Sequence, residues 1–176
     1  MPPSPTAIRV TPTTDPKLGR IWRLTASQEL DHPVERVFPF FADAHNLESI
    51  TPAFLRFRVL TPRPIVMREG LRLEYRLRVH GVPIGWLTEI PVWEPPRRFV
   101  DRQIRGPYAL WHHTHTFEPI AGGTRTRCTD EVLYRPKGWV LAGLVNRLFV
   151  QKDVERIFRY RFERLEEVFG EGQEHG

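Results

Sequence analysis

Residues 71–80 read Leu71-Arg72-Leu73-Glu74-Tyr75-Arg76-Leu77-Arg78-Val79-His80. Apolar side chains occupy the odd positions and polar ones the even positions. Successive side chains on a strand point to opposite faces, so this stretch is a strand with one covered face and one wet face. Gly81-Val82-Pro83 turns the chain into a second such run at 84–93. Pro95-Pro96 breaks it before 99–105, Gly106-Pro107 leads into 108–118, and Gly122-Gly123 turns into 124–134. Upstream, 54–60 alternates through Leu55, Phe57 and Val59, and 21–30 through Trp22, Leu24, Ala26, Gln28 and Leu30. Short strands joined by tight turns imply an antiparallel sheet.

Helical signals stand at two places. Pro33 suits the first turn of a helix, where its missing N–H would be unpaired anyway. Val34, Val37, Phe38 and Phe41 then recur at helical spacing, with Pro39 limiting the helix. Asp43 can cap a second short helix through Leu47 and Ile50, stopped before Thr51-Pro52. The last element is a long helix over 140–169. Val154, Ile157, Phe158, Phe162, Leu165 and Phe169 form its apolar stripe, and Arg156, Arg159, Glu163 and Glu166 face out. Unbroken, it would run about 45 Å, longer than a ten-residue strand. A break near 150–153 or an overhang is expected.

The chain has 176 residues, 40% hydrophobic and 27% charged, enough for one domain. Residues 1–19 hold five prolines (Pro2, Pro3, Pro5, Pro12, Pro16) and read as a loose arm; 20–169 form the domain; 170–176 are expected to fray. The formal charge is +5, and apart from Lys17, Lys137 and Lys152 all 26 basic residues are arginines, spread among 21 acids. Such dispersion reads as a solvated surface, so no nucleic-acid partner is expected. The lone Cys128 cannot form an internal disulfide. Neither a secretory-type start nor a membrane-spanning run is seen, and a cytoplasmic location is expected.

The order is one strand, two short helices, six strands and one long helix (β-α-α-β6-α). It resembles the helix-grip fold of the START/Bet v1-like (SRPBCC) superfamily, an α+β class in which a curved antiparallel sheet wraps around a C-terminal helix. The closer likeness is to the branch of polyketide cyclase/dehydrase and coenzyme Q-binding COQ10-like proteins. Pro33-Val34-Glu35-Arg36-Val37-Phe38, Asn46-Leu47 with Ile50-Thr51-Pro52, Glu94-Pro95-Pro96-Arg97-Arg98-Phe99, and Gly106-Pro107-Tyr108 with Trp111-His112-His113-Thr114-His115-Thr116-Phe117 carry it. The resemblance covers about residues 20–168. It implies a space between sheet and helix that takes a lipid, quinone or polyketide-like compound. Fold membership alone fixes no activity.

Parity assigns the inner face. On 108–118 the large groups Trp111, His113, His115 and Phe117 share one face, and Leu110, His112, Thr114, Thr116 and Glu118 the other. On 99–105, Phe99, Asp101 and Gln103 are assigned inward because this leaves Arg98 and Arg102 in water. The last strand offers Cys128, Asp130, Val132 and Tyr134; the others offer Tyr75, Leu77, Trp86, Thr88 and Ile90. The candidate site is therefore Tyr75, Trp86, Thr88, Asp101, Gln103, Trp111, His113, His115, Asp130 and Tyr134. Buried ionisable groups are costly unless paired, so several on one face point to a partly hydrated pocket for an apolar ligand with a few polar atoms. The plainer alternative is that Asp101–His113 and Asp130–His115 are satisfied pairs in a filled core.

His113-Thr114-His115 places two imidazoles on one side of a strand, a usable zinc spacing whose third ligand would be Asp101, Asp130 or another histidine. Nothing in the spacing demands that ligand, and histidines hydrogen-bonded to carboxylates or to ligand are the preferred reading, without a metal. A catalytic reading has His113 or His115 moving a proton, Asp101 or Asp130 orienting it, and Tyr75 or Tyr134 polarising a carbonyl. No G-x-S-x-G, phosphate loop or dinucleotide fingerprint is present, so no cofactor is expected. Residues 139–150, from Trp139 to Val150, leave little polar face. Burial against the sheet is the general explanation. A pocket gate, a homodimer contact, a protein-interaction surface or a transient membrane contact are the functional ones.

Overall fold

A computed structural model of the chain describes residues 8–137 and 150–170. Its elements are β1 (Arg9–Asp15), β2 (Gly19–Leu30), α1 (Val34–Phe41), α2 (Asn46–Ser49), β3 (Arg58–Val59), β4 (Arg72–Val79), β5 (Val82–Glu94), β6 (Arg98–Arg105), β7 (Tyr108–Ile120), β8 (Arg125–Pro136) and α3 (Gln151–Gly170). The strands form one antiparallel sheet in the order β1-β2-β8-β7-β6-β5-β4-β3. This is the helix-grip α+β arrangement expected from the order of the elements, with one strand more.

The extra strand is β1, which corrects the reading of residues 1–19 as a loose arm from Arg9 onward. It pairs with β2 from Arg9↔Thr25 to Asp15↔Gly19. Asp15 Oδ1 accepts hydrogen bonds from the backbone N–H groups of Lys17 and Leu18, both at 2.8 Å, and Gly19 supplies a φ of +71° that closes the turn. Proline composition argued against a strand, but β1 is an edge, where the missing N–H of Pro12 can face solvent.

The expected strand over 54–60 is reduced to two residues. A 3₁₀ turn takes Ala53–Leu55, Arg56 adopts a left-handed φ of 45°, and pairing begins only at Arg58. Glu48 on α2 accepts a hydrogen bond from the Val59 N–H at 2.8 Å and so ties this edge to the helix. Helix α1 starts after Pro33 and ends two residues beyond Pro39. Its Val37 and Phe38 pack with Phe99 and Phe117 of the sheet and with Leu165 and Phe169 of α3, a filled aromatic core.

Helix α3 lies over β2 and β8, with Val154, Phe158 and Phe162 against Trp22, Leu24, Ala26, Val132 and Tyr134. A straight helix cannot follow a curved sheet, and a space remains between α3 and strands β4–β7. The longer helix expected from residue 140, and the readings of residues 139–149, lie outside the described residues. No described helix is long and apolar enough to cross a membrane.

Candidate functional site

That space is a cavity of about 390 Å³. Leu73, Tyr75 and Leu77 of β4 and Ile84 and Trp86 of β5 form one wall, for the reason seen in the sequence: they are the apolar set of two paired, alternating strands. Tyr108 and Trp111 of β7 meet Trp86 in an aromatic corner. The ring centroids are 5.3 Å apart for Trp86–Trp111 and 4.8 Å for Tyr108–Trp111. Ile157 and Phe158 of α3 form the roof.

The polar part of the wall is built where β6, β7 and β8 run side by side. Register sets Asp101 opposite His113 and His115 opposite Asp130. The hydrogen bonds run along the diagonals instead: His113 Nε2 to Asp130 Oδ1 at 2.8 Å and His115 Nε2 to Asp101 Oδ2 at 2.9 Å. The opposed pairs are close as well. His113 Nδ1 lies 3.3 Å from Asp101 Oδ2, and His115 Nδ1 lies 2.8 Å from Asp130 Oδ1 but out of line for a hydrogen bond. The two imidazole rings stand 3.7 Å apart, and Phe99 stacks on His115 at 4.2 Å. From α3, Arg161 completes the group, its Nη1 3.7 Å from Asp130 Oδ1 and its guanidinium 4.9 Å from the centre of the Phe158 ring.

Burial and charge set opposite directions on the two histidines. Burial, with His115 beside it, holds His113 below the usual imidazole range despite both carboxylates. Burial also opposes charge on His115, but the hydrogen bond to Asp101 and the close contact with the Asp130 carboxylate outweigh it and raise its pKa. The same contacts overcome desolvation at the carboxylates, lowering Asp101 and holding Asp130 well below its ordinary range. A proton is therefore held more readily on His115 than on His113. Burial pushes the Tyr75 and Tyr108 hydroxyls up, so both stay neutral donors.

Of the ten candidate residues, Tyr75, Trp86, Asp101, Trp111, His113 and His115 line the cavity. The other four share their parity but not their surroundings. Thr88 donates to the Arg102 carbonyl at 3.0 Å, and Gln103 holds the Tyr108 backbone at the β6–β7 turn through bonds of 2.7 and 3.2 Å. Asp130 and Tyr134 sit on β8, which α3 covers, so Asp130 stands behind the imidazoles and Tyr134 is sealed among Trp22, Trp111 and Phe158. Arg161 and Tyr108 are lining residues that sequence reasoning missed. Arg161 is findable, because Val154, Phe158, Arg161 and Leu165 follow the helical spacing of a buried stripe.

Asp101, His113 and His115 each bring one ligand atom within 4.8 Å of the others, so these three could hold a metal ion. The same atoms here bond one another and the carboxylate behind them. Chemically, the arrangement offers an imidazole that disfavours protonation and is oriented by a buried carboxylate, a second imidazole that favours it, and a guanidinium, all facing a largely apolar chamber.

Comparisons agree with this architecture. A solved structure from Mycobacterium smegmatis, of the protein called Ms6760, matches with a TM-score of 0.66 at 20% identity, covering 96% of this chain and 100% of that one. A START superfamily protein from the same organism gives 0.60 at 13%, covering 83% and 98%. A protein from Thermus thermophilus gives 0.57 at 24%, also covering 83% and 98%. No curated protein matches the chain. Residues 22–170 match the family described as polyketide cyclase/dehydrase and lipid transport, and the chain belongs to that family.

Proposed function

We propose that the protein binds an apolar small molecule carrying a few polar atoms (a lipid, quinone or polyketide-like compound) between the sheet and α3. The observation that carries this reading is the cavity itself. Its volume of about 390 Å³ falls within the range of small-molecule sites, and its walls are mainly aliphatic and aromatic with a smaller number of polar groups, among them Asp101, His113, His115 and Arg161. Family membership supports the same class of ligand. The test is native mass spectrometry of the freshly purified protein, followed by mixing with 1-decanol. One apolar molecule per chain, either carried through purification or taken up on mixing, is expected. A chain that stays free in both states would contradict the reading.

A second reading, a cyclase- or dehydrase-type enzyme, is favoured by one observation: His113 is held neutral at the cavity wall with Asp130 bonded behind it. A neutral imidazole can accept a proton from a bound carbonyl compound, and a positioned base contributes about 10²–10⁴ in rate. In that reading His113→Gln abolishes turnover of a polyketide-like substrate while leaving its binding in place.

A further inference from the structure

Arg161 is the one member of the polar wall whose hydrogen-bonding capacity is unused. Its side chain is 8% exposed, it lines the cavity, and its Nε is buried without a partner. Among the described residues the guanidinium makes no hydrogen bond at all, and its single ion pair, to Asp130, is 3.7 Å long. Asp130 cannot shorten that contact without cost, because its Oδ1 already stands 2.8 Å from a nitrogen of each imidazole. A guanidinium whose Nε is buried without a partner, and whose other N–H groups make no hydrogen bond to the protein, is costly to keep at a cavity wall unless a partner arrives with the ligand.

We propose that Arg161 is the anchor for a ligand oxyanion, so that the cavity takes an amphipathic acid: a carboxylate at the polar wall and an apolar body against Leu77, Ile84, Trp86 and Trp111. This rests on the binding function proposed above and names its ligand class. The planar fork of a guanidinium matches a carboxylate through two parallel hydrogen bonds, and such charge-assisted pairs are stronger than neutral ones. The short His–Asp contacts occupy both carboxylates of the polar wall, which leaves Arg161 as that wall's cation without a hydrogen bond; Lys137 also lines the cavity, outside the wall.

The test compares decanoic acid with 1-decanol, equal in chain length, by titration calorimetry on the full chain. The acid is expected to bind the wild type more tightly. Arg161→Gln is expected to weaken the acid by about 10- to 100-fold and the alcohol by less than about threefold. Arg161→Lys, which keeps charge but not the fork, is expected to fall between. Retained alcohol binding shows that a variant is folded, and the wild-type comparison stands without any variant. Equal affinity of acid and alcohol for the wild type, or equal weakening of both by Arg161→Gln, would overturn the anchor and leave the binding function standing. Failure of both probes on the wild type would remove the binding function and the anchor together.

Discussion

Trp111, His113, His115 and Phe117 leave the same face of β7, yet the two ends of that row meet opposite surroundings. Phe117 is packed against Phe38 and Phe41 of α1, with ring centroids 5.2 and 4.9 Å away, and is 3% exposed. Trp111 borders a cavity, and the two histidines form a polar layer between the ends. Alternation decides which face a side chain takes, but not whether that face is filled. Filling depends on which helix reaches it. Helix α1 and the end of α3 close over Phe99 and Phe117, whereas β4 and β5 curve away from the start of α3.

The polar layer is the place to break this contrast most severely. Asp130→Ala removes the partner of two buried imidazoles and the one ion-pair partner of Arg161. Leaving those groups uncompensated is expected to cost about 3–5 kcal/mol in urea unfolding. A loss typical of a surface residue would mean the layer is open to water. Next, Phe117→Ala should cost about 3–5 kcal/mol because it opens a void in a filled core. Trp111→Ala at the hollow end should cost less, since the indole borders the cavity on one side and packs on Tyr134 on the other. Equal losses at the two positions would erase the distinction between the ends.

A finer probe lies in pH, because the two histidines shift in opposite directions. His115 has a raised folded pKa, so its stabilisation is complete below its unfolded value of about 6.5 and is lost as pH rises through the folded value. His113 has a lowered one, so its contribution is present above about 6.5 and is lost as pH falls through the folded value. His115→Asn should therefore flatten the alkaline side of the stability profile, and His113→Asn the acid side. Urea midpoints measured across neutral pH decide this; a tilt in the same direction from both variants would refute the assignment. The smallest effect belongs to the wet face, where the solvent-screened Arg98–Glu94 pair should contribute little to stability. An Arg98→Ala loss approaching that of Phe117→Ala would show that the outer face is not the solvated one.

Much of this was legible because a period of two is a strong signal. The strands β4 to β8, and the inward assignment of Phe99 and Asp101, follow from alternation and from the cost of burying arginines. Three things were not legible, each for a physical reason. The edge strand β1 was hidden by prolines that an edge tolerates. The diagonal His–Asp bonds depend on side-chain rotamers, which register does not fix. Arg161 was passed over because the stripe of the last helix was traced through apolar residues alone, although its spacing from Phe158 and Leu165 turns it inward. Curvature was the remaining unknown, and it decides that Asp130 and Tyr134 lie under α3 rather than on the cavity.

The hollow end as a ligand chamber is tested most directly by filling it. Leu77 lines the cavity from β4, and Leu77→Trp would place an indole in that space. Titration of 1-decanol into this variant beside the wild type is the measurement. One alcohol bound per wild-type chain and none by Leu77→Trp, with thermal stability retained, is the expected result. Undiminished binding by the filled variant would contradict it, because the ligand would then be bound outside the chamber between sheet and helix.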